Sequence, residues 1–313
     1  MSAQASAGAS GKGPRVGVAI LGAGRLAAEL TWRLQAAAGP MRLELVAGLA
    51  PDSDGLRTAQ ELGIDTSTDG VNAVLSHPQV QLVFDATGAR AHARNARALR
   101  DAGKLTVDLT PSAAGPIIVP AVNLPAGVDG GEVCLVSSAA QAAVPVACAV
   151  SRAARTSYVE VVTTVASATL GRGARLDIDE LTAASARALE GPGGARRAKA
   201  ILIVTPADPA PLMRCILYAV LEAAFDEPRV RESIEQMVGA VQRYAPGYRL
   251  RRDPEVLERD TARGRKPVLE ATIEVEGLRR PHFAGNLELM ASAAERVGDR
   301  LARLVPRASE VVA

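Results

Sequence analysis

Short apolar runs alternate with amphipathic stretches through the first half of the chain. The run from Val16 to Leu21 is continuously apolar and predicts a buried strand. By the same reasoning we predict strands over residues 43–49, 82–85, 105–108 and 133–136, and helices over residues 53–62 and 89–102. This alternation is typical of a doubly wound parallel sheet. The predicted fold class is therefore α/β, with an N-terminal Rossmann domain.

In the second half, strands rich in β-branched residues mix with helices in no regular order. We predict strands over residues 158–167, 199–204 and 268–276, and helices from near Pro145 and over residues 178–189, 213–224 and 230–240. The mixture indicates a second, α+β domain for catalysis and dimerisation. We expect a disordered tail (1–14), a dinucleotide-binding domain (15–137) completed by a C-terminal helix (285–305), and a substrate and oligomerisation domain (138–284).

The first strand runs into the sequence GAGRLA, which is a GxGxxA motif between a strand and a helix. Gly22 permits the tight turn, and Gly24 lets a pyrophosphate approach the backbone at the helix N-terminus. Ligands of such sheets bind at the carboxyl ends of the strands. The predicted cofactor-binding residues at this edge are Gly22, Ala23, Gly24, Arg25, Leu26, Ala86, Thr87 and Thr110.

The end of the second strand indicates which dinucleotide is bound. Ala50 stands where an acid would bond the ribose 2′-hydroxyl of NAD, whereas Ser53 and Arg57 can accept a 2′-phosphate. These residues favour NADP(H) over NAD(H). The alternative is that Asp54 only caps the following helix while Arg57 faces solvent.

Composition narrows the classes of function. The chain has 313 residues, 48% of them hydrophobic, and a net charge of +2, which favours neither nucleic acid nor a membrane surface as a partner. No apolar run is long enough to predict a transmembrane helix. The three cysteines lie in apolar settings and indicate a reduced, cytoplasmic protein. Cysteine and histidine spacing suggests no metal site.

Ten stretches, in order from about residue 16 to 303, resemble one family. They are LGAGRLA, SDGLRTAQELGI, LVFDATGARAHARN, VDLTPSAAGP, VPAVNL, AVSRAAR, LDIDELT, PLMR, YAPGYRL and HFAGNLELM. The family is that of the acylating acetaldehyde dehydrogenases, which work beside a 4-hydroxy-2-oxovalerate aldolase. The resemblance implies NAD chemistry, homo-oligomerisation through the second domain and an aldolase-like partner.

The resemblance also implies a cysteine nucleophile in a motif of the form V-T-C-G-G-Q. This chain reads VSSAAQ there, which puts Ser138 at the nucleophile position and retains Gln141. Cys215 follows the PLMR stretch where the family carries an acid, and Asn286 is retained near the C-terminus. An unassisted serine is a much weaker nucleophile than a thiolate. We therefore expect CoA-acylating oxidation to be lost or very weak.

Three functions follow from this site. The first is direct hydride transfer to a small aldehyde, other carbonyl or imine, with Ser138 as a hydrogen-bond donor. The second is the family's acylating reaction through Ser138 or Cys215. The third is a non-catalytic partner that keeps the fold to stabilise an aldolase-like enzyme. Outside this site, Asp177 and Asp179 are expected to cap the helix that follows them.

Overall fold

A computed structural model describes residues 15–124, 126–127, 131–171, 175–222, 224–261, 264–279 and 281–305. The predicted disordered tail, residues 1–14, lies outside the described residues. No helix within the described ranges is both long and apolar enough to cross a bilayer.

The first sheet has six parallel strands in the order β3-β2-β1-β4-β5-β6. They are β1 (Val16–Leu21), β2 (Met41–Ala47), β3 (Asp65–Ser67), β4 (Val80–Asp85), β5 (Leu105–Asp108) and β6 (Glu132–Cys134). The connecting helices are α1 (Arg25–Ala36), α2 (Asp54–Glu61), α3 (Val71–Ser76), α4 (Ala89–Asp101) and α5 (Pro120–Asn123). The predicted doubly wound parallel sheet is confirmed.

Helices cover both faces of this sheet. One face packs on α1, α2 and a C-terminal helix, α9 (Gly285–Ala302), through residues such as Leu30, Leu56 and Val297. The other face packs on α3 and α4 through Val74 and Leu99. The chain therefore returns at its end to the sheet it began with.

The second sheet is mixed and has the order β10-β12-β9-β7-β8, with β11 paired to β12. Its strands are β7 (Thr156–Ala166), β8 (Ala198–Thr205), β9 (Met213–Leu221), β10 (Tyr248–Leu250), β11 (Glu255–Thr261) and β12 (Gly264–Val275). Three further helices accompany it: α6 (Ser138–Ala153), α7 (Ile178–Glu190) and α8 (Glu227–Gln242). This sheet and its helices confirm the predicted second domain of mixed strands and helices.

The predicted helix over residues 213–224 is wrong, because residues 213–221 form β9. Alternate side chains along this strand are buried, from Met213 through Cys215 to Leu221. The run MRCILYAVL is apolar at both the helical and the strand period. Its place between β7 and β12 decides the outcome, because both neighbouring strands pair with its backbone. The sequence pattern also missed β11 and the short elements β3, α3, α5 and β10.

Candidate active site

The turn after β1 is shaped by Gly22, which has a φ of +99°. Its N–H donates to the carbonyl of Ala47 at 2.8 Å, which joins the turn to the end of β2. A Cβ at this position would lie 2.6 Å from the carbonyl oxygen of Ala86, at the end of β4. The turn therefore requires glycine for both backbone conformation and space.

Gly24 lies at the N-cap of α1 with an ordinary extended conformation and no side-chain cap. The first turn of α1 contains no acidic residue, and a Cβ on Gly24 would meet no atom within 4 Å. Ala23 and Arg25 flank it, and the carbonyl of Ala23 accepts the N–H of Gly55 at 2.8 Å. An open glycine backbone at a helix N-terminus with unpaired N–H groups fits a pyrophosphate. Leu26 packs into the core below.

The loops after β4 and β5 are held by buried carboxylates. Asp85 accepts hydrogen bonds from the Thr87 N–H at 3.0 Å and the Thr87 hydroxyl at 2.5 Å. Asp108 accepts one from the Thr110 N–H at 2.7 Å. The Ala86 N–H donates to the carbonyl of Leu21 at 2.7 Å. These bonds bring the predicted residues of β4 and β5 to the same edge of the sheet as the glycine turn.

The residues predicted to favour NADP(H) over NAD(H) lie at the start of α2. Ser53 is its N-cap but makes no capping bond, and its hydroxyl is buried with no hydrogen-bond partner among the described residues. Asp54 lies 3.6 Å from the Arg25 Nε and 3.8 Å from an Arg57 guanidinium nitrogen. Arg57 also donates to the carbonyl of Asp52 at 2.8 Å. One acid and two arginines therefore meet beside the glycine turn.

Ser138 is the first residue of α6 and is partly exposed. The helix begins seven residues before the predicted start near Pro145, because Ser137 caps it. The Ser137 hydroxyl accepts the Ala140 N–H at 3.0 Å. Val136, just before the cap, has a φ of +64°, which is strained for a β-branched residue. A strained turn therefore presents Ser138 at a helix N-terminus.

Two buried amides lie at neighbouring helix starts. The Gln141 Nε2 donates to the carbonyls of Ile118 and Leu135 at 2.8 and 2.9 Å, while its Oε1 is buried without a partner among the described residues. Asn286, at the start of α9, is 4% exposed and its Oδ1 is likewise unpartnered. A buried acceptor without a partner costs free energy, so both oxygens fit a site that takes a polar ligand.

Cys215 lies in the middle of β9 and is fully buried. Its Sγ is 3.2 Å from the Thr163 hydroxyl on β7. Burial raises the pKa of this thiol to about 12. Cys134 and Cys148 are also buried, and desolvation raises the pKa of each thiol. A buried thiol with a raised pKa is a poor nucleophile.

A cluster that the sequence analysis missed surrounds His92 on α4. The His92 Nδ1 is 2.9 Å from Asp85, and its Nε2 is 3.2 Å from Glu132 and 3.7 Å from Asp108. Burial by itself lowers the pKa of His92, but the hydrogen bonds to Asp85 and Glu132 outweigh it and raise the pKa to about 10. The residues come from α4, from the last residues of β4 and β5 and from the first residue of β6, so no local spacing could reveal them.

Two members of the cluster, His92 and Glu132, form part of the wall of a cleft of about 520 Å³ between α4 and α7. Ser112 and Glu132 line it from the first domain, and Glu180 and Arg187 line it from the second. Asp177 joins the two sides, because its carboxylate accepts the Ala89 N–H at 3.1 Å. The predicted cap is therefore corrected: the Asp177 side chain makes no bond to its own helix, α7, and instead caps α4.

The parallel sheet, the glycine turn and the polar groups at its carboxyl edge are typical of a dinucleotide-binding fold. Residues 138–280 match the family model "Prokaryotic acetaldehyde dehydrogenase, dimerisation". The chain is 48% identical to an acetaldehyde dehydrogenase of Chloroflexus aurantiacus, over 92% of this chain and 95% of that one. It is 44% identical to an acetaldehyde dehydrogenase of Thermus thermophilus, over 92% and 95% of the two chains. The chain belongs to the acetaldehyde dehydrogenase family, which confirms the resemblance at the level of the family.

One solved structure shows the same fold at low sequence identity. It is the crystal structure of aspartate semialdehyde dehydrogenase II complexed with ASA, from Vibrio cholerae. The TM-score is 0.61 with 15% identity, and the match covers 93% of this chain and 100% of that chain. At this identity the likeness concerns the fold alone.

Proposed function

We propose that this protein transfers hydride directly between a nicotinamide dinucleotide and a small aldehyde, other carbonyl or imine, without a covalent acyl intermediate. This proposal rests on the serine at the start of α6, taken together with the burial of all three thiols. A reaction through a thioester needs an accessible thiolate, whereas direct hydride transfer needs only a polarised substrate and a bound cofactor.

The residues around the glycine turn fit the dinucleotide. Gly24 and the free N–H groups of the first turn of α1 would hold the pyrophosphate. The bound nicotinamide supplies or accepts the hydride. The unpartnered oxygens of Asn286 and Gln141 are candidates to accept hydrogen bonds from the nicotinamide amide or the substrate.

Ser138 would act on the oxygen or nitrogen of the substrate. As hydride adds to the carbonyl carbon, the C=O bonding pair moves to oxygen, and the Ser138 hydroxyl donates a hydrogen bond to the charge that develops. A proton from solvent then completes the alcohol, or the amine in the case of an imine. No base contacts the Ser138 hydroxyl among the described residues, so the serine stays neutral and serves as a donor.

The test compares the wild type with Ser138→Ala and Ser138→Cys. The wild type is expected to oxidise NADPH with small aldehydes or imines and no CoA. Ser138→Ala is expected to lose about 10²–10³-fold in kcat, as removal of one oxyanion donor does. Ser138→Cys provides a thiol at the same place and is expected to gain CoA-dependent acyl transfer. Circular dichroism of each variant checks that it is folded.

The names of the relatives favour a second candidate, the CoA-acylating oxidation of acetaldehyde. Here Ser138 would carry the acyl group as an ester, since Cys215 is enclosed between two strands. Formation of NADH from acetaldehyde that depends on CoA, within about tenfold of a typical turnover of ~10 s⁻¹, would establish this reaction and overturn direct transfer. No turnover and no dinucleotide binding would support the non-catalytic partner instead.

We further propose that NADP(H) is preferred over NAD(H). The unpartnered Ser53 hydroxyl and the Arg57 guanidinium lie at the start of α2, where the 2′-phosphate would bind. Calorimetric titration of Arg57→Ala is expected to show at least tenfold weaker NADPH binding with NADH binding unchanged. Arg97→Ala, an exposed arginine on α4, is the matched control. Equal weakening for both dinucleotides would contradict the assignment.

The dimerisation family model that residues 138–280 match supports a proposal about the assembly. We propose a homo-oligomer formed through the second domain, located in the cytoplasm, with an aldolase-like protein as a further partner. Light scattering coupled to size exclusion is expected to give at least a dimer. A monomer at micromolar concentration would contradict the oligomer, and co-elution with a candidate aldolase tests the partner.

A further inference from the structure

The cluster around His92 presents three side-chain atoms of the kinds that bind transition metals. The His92 Nε2, an Asp108 carboxylate oxygen and a Glu132 carboxylate oxygen lie within 4.8 Å of one another. All three residues are buried. The Nε2 is 3.2 Å from Glu132 and 3.7 Å from Asp108. Ligands about 2.1 Å from a tetrahedral ion lie roughly 3.4 Å apart, so these separations suit one shared ion.

A second observation concerns the other ring nitrogen. The His92 Nδ1 lies 2.9 Å from the buried carboxylate of Asp85. A carboxylate on one nitrogen fixes the ring so that the other nitrogen points at the metal, which is the usual arrangement behind a metal-binding histidine. Asp85 and Asp108 are themselves held in place by the Thr87 and Thr110 bonds. The ring and its carboxylates are therefore already oriented.

Charge favours a cation at this place. Three buried carboxylates face one imidazole, and Arg100 lies 3.9 Å from Glu132 at the mouth of the cleft. Three carboxyl groups thus stand against one imidazole and one guanidinium, which is an excess of acidic over basic side chains. A divalent ion that replaces the Nε2 proton would balance it, and the proton would leave to solvent.

The cleft gives an ion a route from solvent. His92, Glu132 and Ser112 form part of its wall, so the cluster is buried yet adjoins open space. Ser112 also donates a hydrogen bond to the Asp108 oxygen that lies nearest the ring. Water in the cleft would complete the coordination of an ion held by three side chains.

We propose that His92, Asp108 and Glu132 form a binding site for one divalent transition-metal ion of the zinc type, with Asp85 orienting the histidine. The ion would join α4 to the last residue of β5 and the first residue of β6, and Asp85 and Asp108 hydrogen-bond the loops that carry Thr87 and Thr110. The site is separate from the proposed hydride transfer, and binding is measured without turnover.

The experiment uses full-length protein with any affinity tag removed, stripped with a chelator and held at pH 8. Cobalt(II) is titrated in while visible absorption is recorded, and zinc(II) is titrated by calorimetry and competes for the cobalt. The expected result is one ion per chain, a micromolar or tighter Kd, and d–d bands that zinc abolishes. Imidazole ¹⁵N spectra should show one histidine changing at Nε2 only.

The variants separate this site from surface binding. Glu132→Gln keeps the shape of the side chain and is expected to weaken zinc binding at least tenfold. Glu180→Gln, in the same cleft, and His282→Gln, on an exposed histidine, are expected to bind as the wild type does. A wild type that binds neither ion below about 100 μM overturns the proposal. Loss of binding in His282→Gln alone would also overturn it.

Discussion

The two glycines of the first turn are expected to respond in opposite ways to the same substitution. Gly22→Ala places a methyl group 2.6 Å from the backbone of Ala86 and imposes a φ of +99° on an L-residue. Gly24→Ala places the same group where no atom lies within 4 Å, on a backbone that alanine adopts readily. We therefore expect Gly22→Ala to lower the stability of the fold and Gly24→Ala to weaken ligand binding.

The magnitudes follow from these contacts. A positive φ costs about 1–2 kcal/mol, and a forced backbone contact typically costs 1–3 kcal/mol. Gly22→Ala should thus lower the free energy of unfolding by about 2–5 kcal/mol. Gly24→Ala should change it by less than about 0.5 kcal/mol, as open surface positions do. Its methyl group would instead occupy the place of the pyrophosphate and weaken dinucleotide binding at least tenfold, about 1.4 kcal/mol.

Urea unfolding followed by circular dichroism measures the first effect, and calorimetric titration with NADPH measures the second. For a slope of about 2 kcal/mol/M, the midpoint of Gly22→Ala should fall by roughly 1–2.5 M. Two results would refute the reasoning. One is a Gly22→Ala protein as stable as the wild type, and the other is a Gly24→Ala protein that binds NADPH with unchanged affinity.

Three further predictions concern the rest of the chain. No thiol of the native protein should react quickly with a disulfide reagent at pH 8 or pH 9, because all three cysteines are buried and the pKa of Cys215 is raised to about 12. All three thiols should react once the protein is unfolded in guanidinium. Fast labelling of the native protein would contradict this burial. Asp177→Ala should lower the free energy of unfolding by about 0.5–2 kcal/mol, since it removes the cap of α4, whereas Asp179→Ala should have a smaller effect in the same urea assay. Gly298→Ala should lower the melting temperature, because its Cβ would lie 2.5 Å from the Phe84 ring and 2.8 Å from the Met41 sulfur; the control Gly239→Ala meets nothing within 4 Å and should not.

The order of elements could be predicted where periodicity was strong. The strand Val16–Leu21 and the helix at residues 178–190 were predicted within a residue or two of their bounds. The run at residues 213–221 was not, because its apolar residues satisfy both periods and only pairing with two neighbouring strands distinguishes them. The strands β3, β10 and β11 were missed for other reasons. A three-residue strand carries no period of its own, and Glu255–Thr261 is polar on both faces.

By itself the sequence determined the class of fold, the glycine turn and the family, because each depends on residue patterns that are read along the chain. Only the tertiary structure decided that Cys215 is enclosed and that Asp177 caps a helix of the other domain. It alone brought His92 to three carboxylates, each from a different strand. Such contacts depend on how strands lie side by side, and strand order is set by packing over the whole chain rather than by local sequence.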